Sequence, residues 1–329
     1  MPDTPNDDAL DLPDVAAIRS AAARIAPYVH RTPVLTCRAL DAEAGASLHF
    51  KCENFQKIGA FKARGATNAV FALSDSEAAK GVVTHSSGNH GAALAYAARA
   101  RGIPAWIVMP ENAPRVKQEN VRRLGATIRF CAPTVAAREE ACAEVQRDTG
   151  AFLIHPFDNF NVIAGQGTAA LELLDAVPDL DVVVAPVGGG GLLSGTGITV
   201  RALRPQARVC GAEPANADDA ARSFRTGRVE ALASTVTIAD GLRTTLSGRT
   251  LGAIRANVAA IGTASEEAIV RAMRMTWERM KIVIEPSAAV PLACVLERSL
   301  DIAGARVGII LSGGNVDLDR LPWQSPSAR

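Results

Sequence analysis

The chain has 329 residues, of which 48% are apolar and 21% charged, and its formal net charge is +1. This length and composition predict a globular protein with one large domain or two closely packed domains. The near-neutral charge and the 4% of aromatic residues give no support for nucleic-acid binding or for attraction to anionic membranes. Every apolar run is shorter than the roughly 18–20 residues of a membrane-spanning helix, so we expect neither kind of partner.

Two further features predict a cytoplasmic location. Residues 1–14 are acidic and contain several prolines, and they lack the basic start and apolar stretch of a signal peptide. We therefore expect residues 1–14 to form a disordered leader. The six cysteines form no Cys-x-x-Cys pair and no zinc-type spacing with histidine, which indicates free thiols in a reducing compartment.

Short apolar strands alternate with longer helical patterns along the chain. The pattern predicts, in chain order, a strand at 81–84, a helix at 89–101, a strand at 105–109, a helix at 115–124, a strand at 127–131, a helix at 135–149, a strand at 181–187, a helix at 192–203, and strands at 208–213 and 306–311. Nearly continuous apolar strands joined by helices are typical of an α/β fold with doubly wound parallel sheets. Right-handed crossovers then bring all the strand-to-helix turns to one edge, where ligands bind.

Lys62 is the first candidate functional residue. It is one of six lysines in a chain whose positive charge comes mostly from arginine. A lysine that is removed from water can lose its proton and attack a carbonyl carbon, whereas arginine stays protonated. The neighbours of Lys62 include Ala60, Phe61, Ala63 and Gly65, and such small and apolar residues favour desolvation. On this segment alone, a reactive lysine and an ordinary surface lysine on a helix both remain open.

The turn at residues 85–91 follows the first predicted strand and opens an alanine-rich helix. It reads His-Ser-Ser-Gly-Asn-His-Gly and contains Ser86, Ser87, Asn89 and His90. Backbone N–H groups and small polar side chains at a helix start can bind an anion such as a substrate carboxylate. The alternative is ordinary helix capping by Ser87 or Asn89, but the turn has more polar groups than capping requires.

A run of four glycines, Gly188, Gly189, Gly190 and Gly191, follows the most apolar strand. Such a run lets several backbone amides converge on a phosphate without obstruction from side chains. The same turn, with Ser194 and with Glu213 about 20 residues further on, also approaches the fingerprint of a dinucleotide site. A nicotinamide-dependent dehydrogenase is therefore an alternative, although it leaves Lys62 without a role.

The last predicted strand is followed by Ser312, Gly313, Gly314 and Asn315. A serine hydroxyl and two glycines at the sheet edge offer one neutral hydrogen bond to the ring of a ligand. Taken alone, the segment is typical of any glycine-rich turn.

Together these motifs resemble those of the fold-type II pyridoxal phosphate (PLP) enzymes, in the group of serine/threonine dehydratases, serine racemases and 3-hydroxyaspartate dehydratases. The motifs are Gly-Ala-Phe-Lys-x-Arg-Gly-Ala around Lys62, the Ser-Ser-Gly-Asn-His turn, the four glycines and Ser-Gly-Gly-Asn, in this order. The resemblance covers about residues 15–322. It implies a tryptophan-synthase-β-like fold with a large PLP-binding domain (15–74 plus 159–323), a small mobile domain (75–158) and a homodimer.

The resemblance also implies a role for each motif. Lys62 would bind the cofactor aldehyde covalently and later take the substrate α-proton, and Ser87 would be an acid-base residue on the opposite face of the ring. Cofactor contacts would come from Phe61, Lys62, Asn89, Gly188, Gly189, Gly190, Gly191, Gly241 and Ser312. Substrate contacts would come from Ser86, Ser87, Asn89 and His90.

A divalent metal site is implied as well. The segment that begins at Glu213 is similar to one in serine racemases that binds Mg²⁺ or Ca²⁺ through two carboxylates and a backbone carbonyl. In this chain the ligands would be Glu213, Ala217 and Asp219, and ligation by oxygen alone suits a hard cation. From the residues alone, a solvated acidic loop is the alternative.

The resemblance implies elimination of water from a β-hydroxy amino acid of the 3-hydroxyaspartate, serine or threonine type, which gives a 2-oxo acid and ammonia. Racemisation of serine or aspartate on the same scaffold is the alternative. Arg138 is a candidate ligand for a second substrate carboxylate, because a guanidinium binds carboxylates as a fork. An exposed helical arginine beside Glu139 and Glu140 is an equally open interpretation.

Overall fold

Two separate β-sheets organise the chain, and the computed structural model describes residues 11–86, 88–113 and 115–324. The strands are β1 (Val34–Thr36), β2 (Ser47–Cys52), β3 (Val82–His85), β4 (Ala105–Pro110), β5 (Thr127–Cys131), β6 (Phe152–Leu153), β7 (Val182–Pro186), β8 (Arg208–Pro214), β9 (Ala260–Ala264) and β10 (Arg306–Leu311). The helices are α1 (Val15–Ile25), α2 (Arg38–Ala44), α3 (Lys62–Ala72), α4 (Asp75–Ala78), α5 (Asn89–Arg101), α6 (Arg115–Arg123), α7 (Val135–Thr149), α8 (Phe160–Ala176), α9 (Gly191–Leu203), α10 (Asp219–Thr226), α11 (Gly248–Asn257), α12 (Glu266–Met280) and α13 (Pro286–Leu296).

The larger sheet has six strands in the order β1-β2-β10-β7-β8-β9, and the smaller sheet has four in the order β5-β4-β3-β6. All neighbouring strands run parallel except β1, which is antiparallel to β2. The predicted α/β class with doubly wound parallel sheets is therefore confirmed. The apolar strands β7 and β10 lie in the middle of the larger sheet, where both faces are covered by helices.

The expectation of one common sheet edge was wrong. The turn after β3 belongs to the smaller sheet, whereas the turns after β7 and β10 belong to the larger one. Strands β1, β2, β6 and β9 were also absent from the predicted set. Of these, β1 and β6 are only three and two residues long, too short to give an apolar pattern. Candidate ligand-binding turns therefore meet across two sheets rather than along one.

Glycines allow three helices to cross closely between the sheets. A Cβ atom on Gly165 of α8 would lie 2.6 Å from the Cα atom of Gly65 in α3, and one on Gly195 of α9 would lie 2.6 Å from the backbone N of Gly167. The backbones therefore approach more closely than side chains would permit. This crossing fixes the start of α3, and hence Lys62, against the chain that enters α8.

A buried ion network holds the other side of α3. Arg64 is fully buried and lies 2.7 Å from Glu53 and 2.8 Å from Glu172, and Lys51 lies 2.6 Å from Glu172. Two positive and two negative groups compensate one another, as buried charges must. The network joins α3 to β2 and α8 at Arg64, two residues after Lys62.

The described residues begin at residue 11 and end at residue 324. Of the predicted leader, residues 1–10 lie outside the described residues. Asp14 caps α1 by accepting a hydrogen bond from the backbone N–H of Ala17 at 2.8 Å. Within the described ranges, no helix combines the length and apolar character needed to cross a bilayer.

The close crossing of α3 and α8 predicts that Gly165→Ala destabilises the fold. The added methyl group has to displace the backbone of α3, so we expect the free energy of unfolding to fall by about 1–3 kcal/mol. Gly248→Ala is the matched control, because a Cβ atom there meets nothing within 4 Å. Urea unfolding of both variants measures the difference, and equal stabilities would contradict the close crossing.

Candidate active site

Lys62 begins α3, and its amine is enclosed by the chain on either side. The Nζ atom donates a hydrogen bond of 2.8 Å to the backbone carbonyl of Pro156, and it lies 5.2 Å from the centre of the Phe61 ring. Burial lowers the pKa of the Lys62 amine to about 8. A substantial fraction of this amine is therefore neutral near pH 8, as a nucleophile or a general base requires.

The start of α3 is tied directly to the end of β10. The backbone N–H of Phe61 donates to the carbonyl of Ser312 at 3.0 Å, and Ala60 forms an isolated β-bridge with Gly313. Ser312 is buried at this junction. Two motifs that are 250 residues apart in the sequence are thus brought together, as the sequence analysis expected.

Asn89, the first residue of α5, connects the smaller sheet to the larger one. Its Nδ2 atom donates to the Glu285 carboxylate at 2.9 Å, and its Oδ1 atom accepts from Asn315 Nδ2 at 2.9 Å. The backbone N–H of Glu285 donates to the carbonyl of Gly313 at 3.0 Å. The turn after β3 therefore reaches the turn after β10 through these side chains.

The remaining predicted substrate residues lie in the same turn. The Ser86 hydroxyl accepts a hydrogen bond from the backbone N–H of Gly88 at 3.2 Å. His90 is buried; its Nε2 atom lies 3.2 Å from the carbonyl of Ile154, and its Nδ1 atom has no hydrogen-bond partner among the described residues. Burial holds the pKa of His90 well below its ordinary value, so the ring is neutral. Ser87 lies outside the described residues.

The four glycines form the turn between β7 and α9. Gly190 has a φ of 88°, a left-handed conformation that favours glycine. A Cβ atom on Gly189 would lie 2.2 Å from the ring of Phe157, and one on Gly188 would lie 3.3 Å from the carbonyl oxygen of Gly241. Backbone amides at the start of a helix, on residues without side chains of their own, fit a phosphate group.

Arg138 lies on α7, close enough to His85 for its charge to act on that ring. The rings of His85 and His155 are 5.6 Å apart and perpendicular. Burial lowers the pKa of His85, and the nearby charge of Arg138 lowers it further. Burial likewise lowers the pKa of His155 to about 4. The Nε atom of Arg138 is buried and has no hydrogen-bond partner among the described residues, so the guanidinium is not a fully solvated helical arginine.

The predicted metal ligands lie one strand away, at the end of β8. Both carboxylate oxygens of Glu213 accept hydrogen bonds from α10, from the backbone N–H groups of Ala220 at 2.9 Å and Ala221 at 2.8 Å. Asp219 is fully buried, and neither of its carboxylate oxygens has a hydrogen-bond partner within the described ranges. Burial raises the pKa of Glu213 to about 8 and that of Asp219 to about 6. Ala217, which lies between Glu213 and Asp219 in the sequence, is also buried.

These carboxylates fit a cation only if backbone or water oxygens complete its shell. The described residues contain no group of three or more His, Cys, Asp or Glu side chains that could hold a metal ion. Two buried carboxylates with raised pKa values would nevertheless be stabilised by a nearby positive charge.

A lysine amine of lowered pKa, a glycine turn suited to phosphate and a serine at the end of a neighbouring strand together define a PLP-binding α/β enzyme. The chain belongs to the family described as pyridoxal-phosphate dependent enzyme, whose model matches residues 25–313. The resemblance to the fold-type II group is therefore confirmed.

Individual relatives within the PLP family indicate a narrower group of enzymes to which this chain is similar. The chain is 52% identical over 312 residues to a beta-hydroxyaspartate dehydratase of Paracoccus denitrificans, covering 95% of this chain and 99% of the relative. It is 51% identical to a serine racemase of Oryza sativa subsp. indica, covering 95% and 93%. The solved structure of serine racemase from Dictyostelium discoideum superposes with a TM-score of 0.90 at 49% identity, covering 94% of this chain and 100% of that one.

The alternative of a nicotinamide-dependent dehydrogenase was wrong. The family match, which covers residues 25–313, makes the chain a PLP enzyme rather than a dinucleotide-dependent one. The Glu213 carboxylate, which would have bound a ribose, is buried and accepts two backbone hydrogen bonds.

Sequence reasoning missed two groups of residues that contact the site. Glu285 was not singled out, although the Glu-Pro-Ser sequence that begins α13 indicates a helix start. Residues 156–158 were also passed over, because the strand that precedes them has only two residues. A search of every turn after a short strand would have found them.

The glycine turn predicts that Gly189→Ala weakens cofactor binding. The new methyl group would overlap the Phe157 ring, so either the ring or the turn has to shift. We expect the dissociation constant for PLP to rise at least about tenfold, which corresponds to about 1.4 kcal/mol. Fluorescence titration of the cofactor-free protein measures this constant, with Gly248→Ala as the unaffected control.

Proposed function

We propose that the protein eliminates water from a β-hydroxy amino acid with the aid of PLP, releasing a 2-oxo acid and ammonia, and that 3-hydroxyaspartate is its principal substrate. The observation that carries the proposal is the enclosed Lys62 amine, whose pKa is lowered to about 8 by burial. Membership of the PLP family and the similarity to a beta-hydroxyaspartate dehydratase support it.

The residues present fit the cofactor. Residues 188–191 would hold its phosphate, Lys62 would hold its aldehyde carbon, and Asn89 and Ser312 would hydrogen-bond the ring. When bound, PLP supplies an electron sink for the bond broken at the substrate Cα atom. Ser312 offers a neutral hydroxyl rather than a carboxylate, which limits charge storage in the ring and favours loss of the β-substituent.

The chain's own groups would then manage protons and position the substrate. Lys62 would remove the α-proton, because its enclosure favours the neutral amine. Pro156 would orient that amine through its backbone carbonyl, which accepts the hydrogen bond from Nζ. Ser86 and the start of α5 would bind the α-carboxylate. His90, kept neutral by burial, would face the substrate without adding charge.

Arg138 would give the enzyme a preference for a dicarboxylic substrate. Its buried Nε atom has no hydrogen-bond partner among the described residues, and a buried guanidinium donor gains most from a carboxylate. The guanidinium lies near His85, directly before the turn proposed to bind the substrate. A second carboxylate on the β-carbon would supply the missing acceptor.

Substrate profiling tests the proposed function. We expect 2-oxo acid release from 3-hydroxyaspartate to exceed that from L-serine and L-threonine in kcat/KM. The threo and erythro isomers should be assayed separately. Absence of 2-oxo acid from all four compounds in PLP-loaded protein would contradict the proposal.

If Arg138 binds the second carboxylate, its removal should affect KM for 3-hydroxyaspartate much more than KM for L-serine. Arg138→Ala should raise KM for 3-hydroxyaspartate by about tenfold or more, because a charge-assisted hydrogen bond is worth about 1.5–3 kcal/mol. The KM for L-serine, which has no second carboxylate, should change little. Steady-state kinetics of this variant and of Arg147→Ala, an exposed arginine on the same helix, provide the comparison. Equal effects on both substrates would remove Arg138 from the substrate pocket.

Racemisation is the second candidate function. The 51% identity to a rice serine racemase supports it, and it requires a proton donor on the face of the ring opposite Lys62, a role we propose for Ser87. Formation of D-serine from L-serine, measured beside 2-oxo acid release, separates the two activities. A serine-to-alanine exchange at position 87 should abolish racemisation while elimination persists.

We further propose that Glu213, the Ala217 carbonyl and Asp219 bind Mg²⁺ or Ca²⁺. The buried and unpartnered oxygens of Asp219 support a cation at this point. The pKa values of both carboxyl groups are raised by burial, and a divalent cation would offset that cost.

The metal proposal predicts ion-dependent stability. Millimolar Mg²⁺ or Ca²⁺ should raise Tm relative to EDTA-treated protein, because a ligand of the folded state stabilises it by mass action. Asp219→Ala should abolish the increase. Asp218→Asn is the control, since Asp218 is paired with Arg222 at 2.8 Å. An ion-independent Tm in the unsubstituted protein would refute the site.

Homodimer formation and mobility of the 75–158 domain are proposals taken from the resemblance, and a cytoplasmic location is one taken from the N-terminal composition and the free cysteines. Residues 82–153 supply all four strands of the smaller sheet. Sedimentation with and without substrate would test both the dimer and the closure of that sheet over the substrate.

A further inference from the structure

The crossover segment, defined as residues 155–158, lies within the six-residue connection (154–159) between β6 of the smaller sheet and the helix α8. The Pro156 carbonyl accepts the hydrogen bond from Lys62 Nζ, and the Phe157 ring packs against Gly189 of the glycine turn. One short stretch without helix or strand therefore contacts both the reactive amine and the proposed phosphate site. Where this segment lies determines how well both are enclosed.

The segment is fixed from inside by a histidine. The Nδ1 atom of His155 accepts a hydrogen bond of 2.9 Å from the backbone N–H of Asp158 and a longer one of 3.4 Å from that of Phe157. The His155 ring also packs edge-on against the Phe157 ring, with 4.5 Å between their centres. These contacts shape the turn, but they do not attach it to the larger sheet.

Arg249 attaches the crossover segment to α11, which packs beside the glycine turn. Its Nε atom lies 2.9 Å from the Asp158 carboxylate, and its Nη1 atom donates to the backbone carbonyl of Asp11 at 2.8 Å. Arg249 belongs to the first turn of α11, and Thr250 beside it packs against the glycine turn, 2.8 Å from a Cβ built on Gly190. The guanidinium thus connects the crossover segment to the helix that supports the glycine turn.

From this arrangement we infer that Arg249 is a positioning residue for Lys62. By pairing with Asp158, it holds the crossover segment against the glycine turn, so the Pro156 carbonyl and the Phe157 ring keep the Lys62 amine away from water. The inference rests on the proposed function, in which Lys62 is the residue that holds the cofactor.

The pairing is partly exposed, with 28% of the Arg249 side chain and 35% of the Asp158 side chain accessible, so its contribution to global stability is expected to be small. Its effect should instead be local. When the segment opens, water reaches the amine and the cost of charging it falls, so the pKa of Lys62 rises toward the ordinary lysine value. The titratable groups that face the amine are His90 and His155, and both are neutral near pH 8 because burial lowers their pKa values.

The test uses the full-length protein without cofactor. Lys62 is labelled with trinitrobenzenesulfonate across a range of pH, and the extent of labelling is read from the Lys62 peptide by mass spectrometry. The variants are Arg249→Gln, Asp158→Asn, the double variant and Arg249→Lys. Arg255→Gln is the matched control, since Arg255 is an exposed residue on the same helix.

We expect a labelling midpoint near pH 8 in the unsubstituted protein and a rise of about one unit in both single variants. The double variant should show no further rise, because both changes break the same pairing. Arg249→Lys should restore part of the shift, and Arg255→Gln should leave the midpoint unchanged. Loaded protein should release PLP about two- to fivefold faster in the Arg249→Gln and Asp158→Asn variants.

The inference is overturned if the midpoint and the PLP release rate of Arg249→Gln equal those of Arg255→Gln, or if the two single effects add in the double variant. Circular dichroism and Tm verify that each variant is folded, and Asp158→Asn and Arg249→Lys decide the matter if Arg249→Gln is not. Failure of the proposed function would look different. The unsubstituted protein would then bind no PLP or release no 2-oxo acid, whatever the labelling midpoints are.

Discussion

The enclosure of one lysine amine at the junction of two sheets is the constraint on which the rest of the site depends. In the proposed function Lys62 acts as a nucleophile and a base, and it is suited to both roles near pH 8 because burial lowers its pKa to about 8. That burial requires α3 to begin at the end of β10 and to cross α8 closely, which the glycines of α3 and α8 permit. A larger residue at the crossing would move the helix and expose the amine.

Close to the Lys62 amine, charged groups are neutralised by partners or kept uncharged by burial. Arg64, two residues after Lys62, is paired with two carboxylates, so its charge is neutralised locally and does not oppose protonation of the amine. The histidines close to Lys62 are neutral because burial lowers their pKa values. The guanidinium of Arg138, beyond His85, retains an unpartnered buried Nε within the described part of the chain. In the proposed function, this guanidinium would bind the anionic end of the substrate, and the Lys62 amine would act as the base.

Much of this could be predicted from the sequence, for reasons that differ between elements. The helix at 89–101 was predicted at its observed bounds because an alanine-rich run lies between a polar turn and Gly102. Apolar strands such as β7 were predicted because both of their faces are buried. The apolar pattern alone did not predict the partition of strands into two sheets, because an apolar run does not specify its neighbour; only the resemblance implied a separate domain at 75–158, within which the smaller sheet lies. Glu285 was not predicted as a site residue, because its role depends on Asn89, 196 residues earlier. Residues 156–158 were not predicted because they follow a two-residue strand.

The most direct test of the central claim is to reduce the PLP-loaded protein with borohydride, which makes the attachment of the cofactor permanent, and to map the modified peptide. The account predicts a single pyridoxyl group on Lys62, in the peptide that contains Gly-Ala-Phe-Lys, and none in the Lys62→Ala variant. Modification of a different lysine, such as Lys51 or Lys57, or an unmodified protein after reduction, would contradict it.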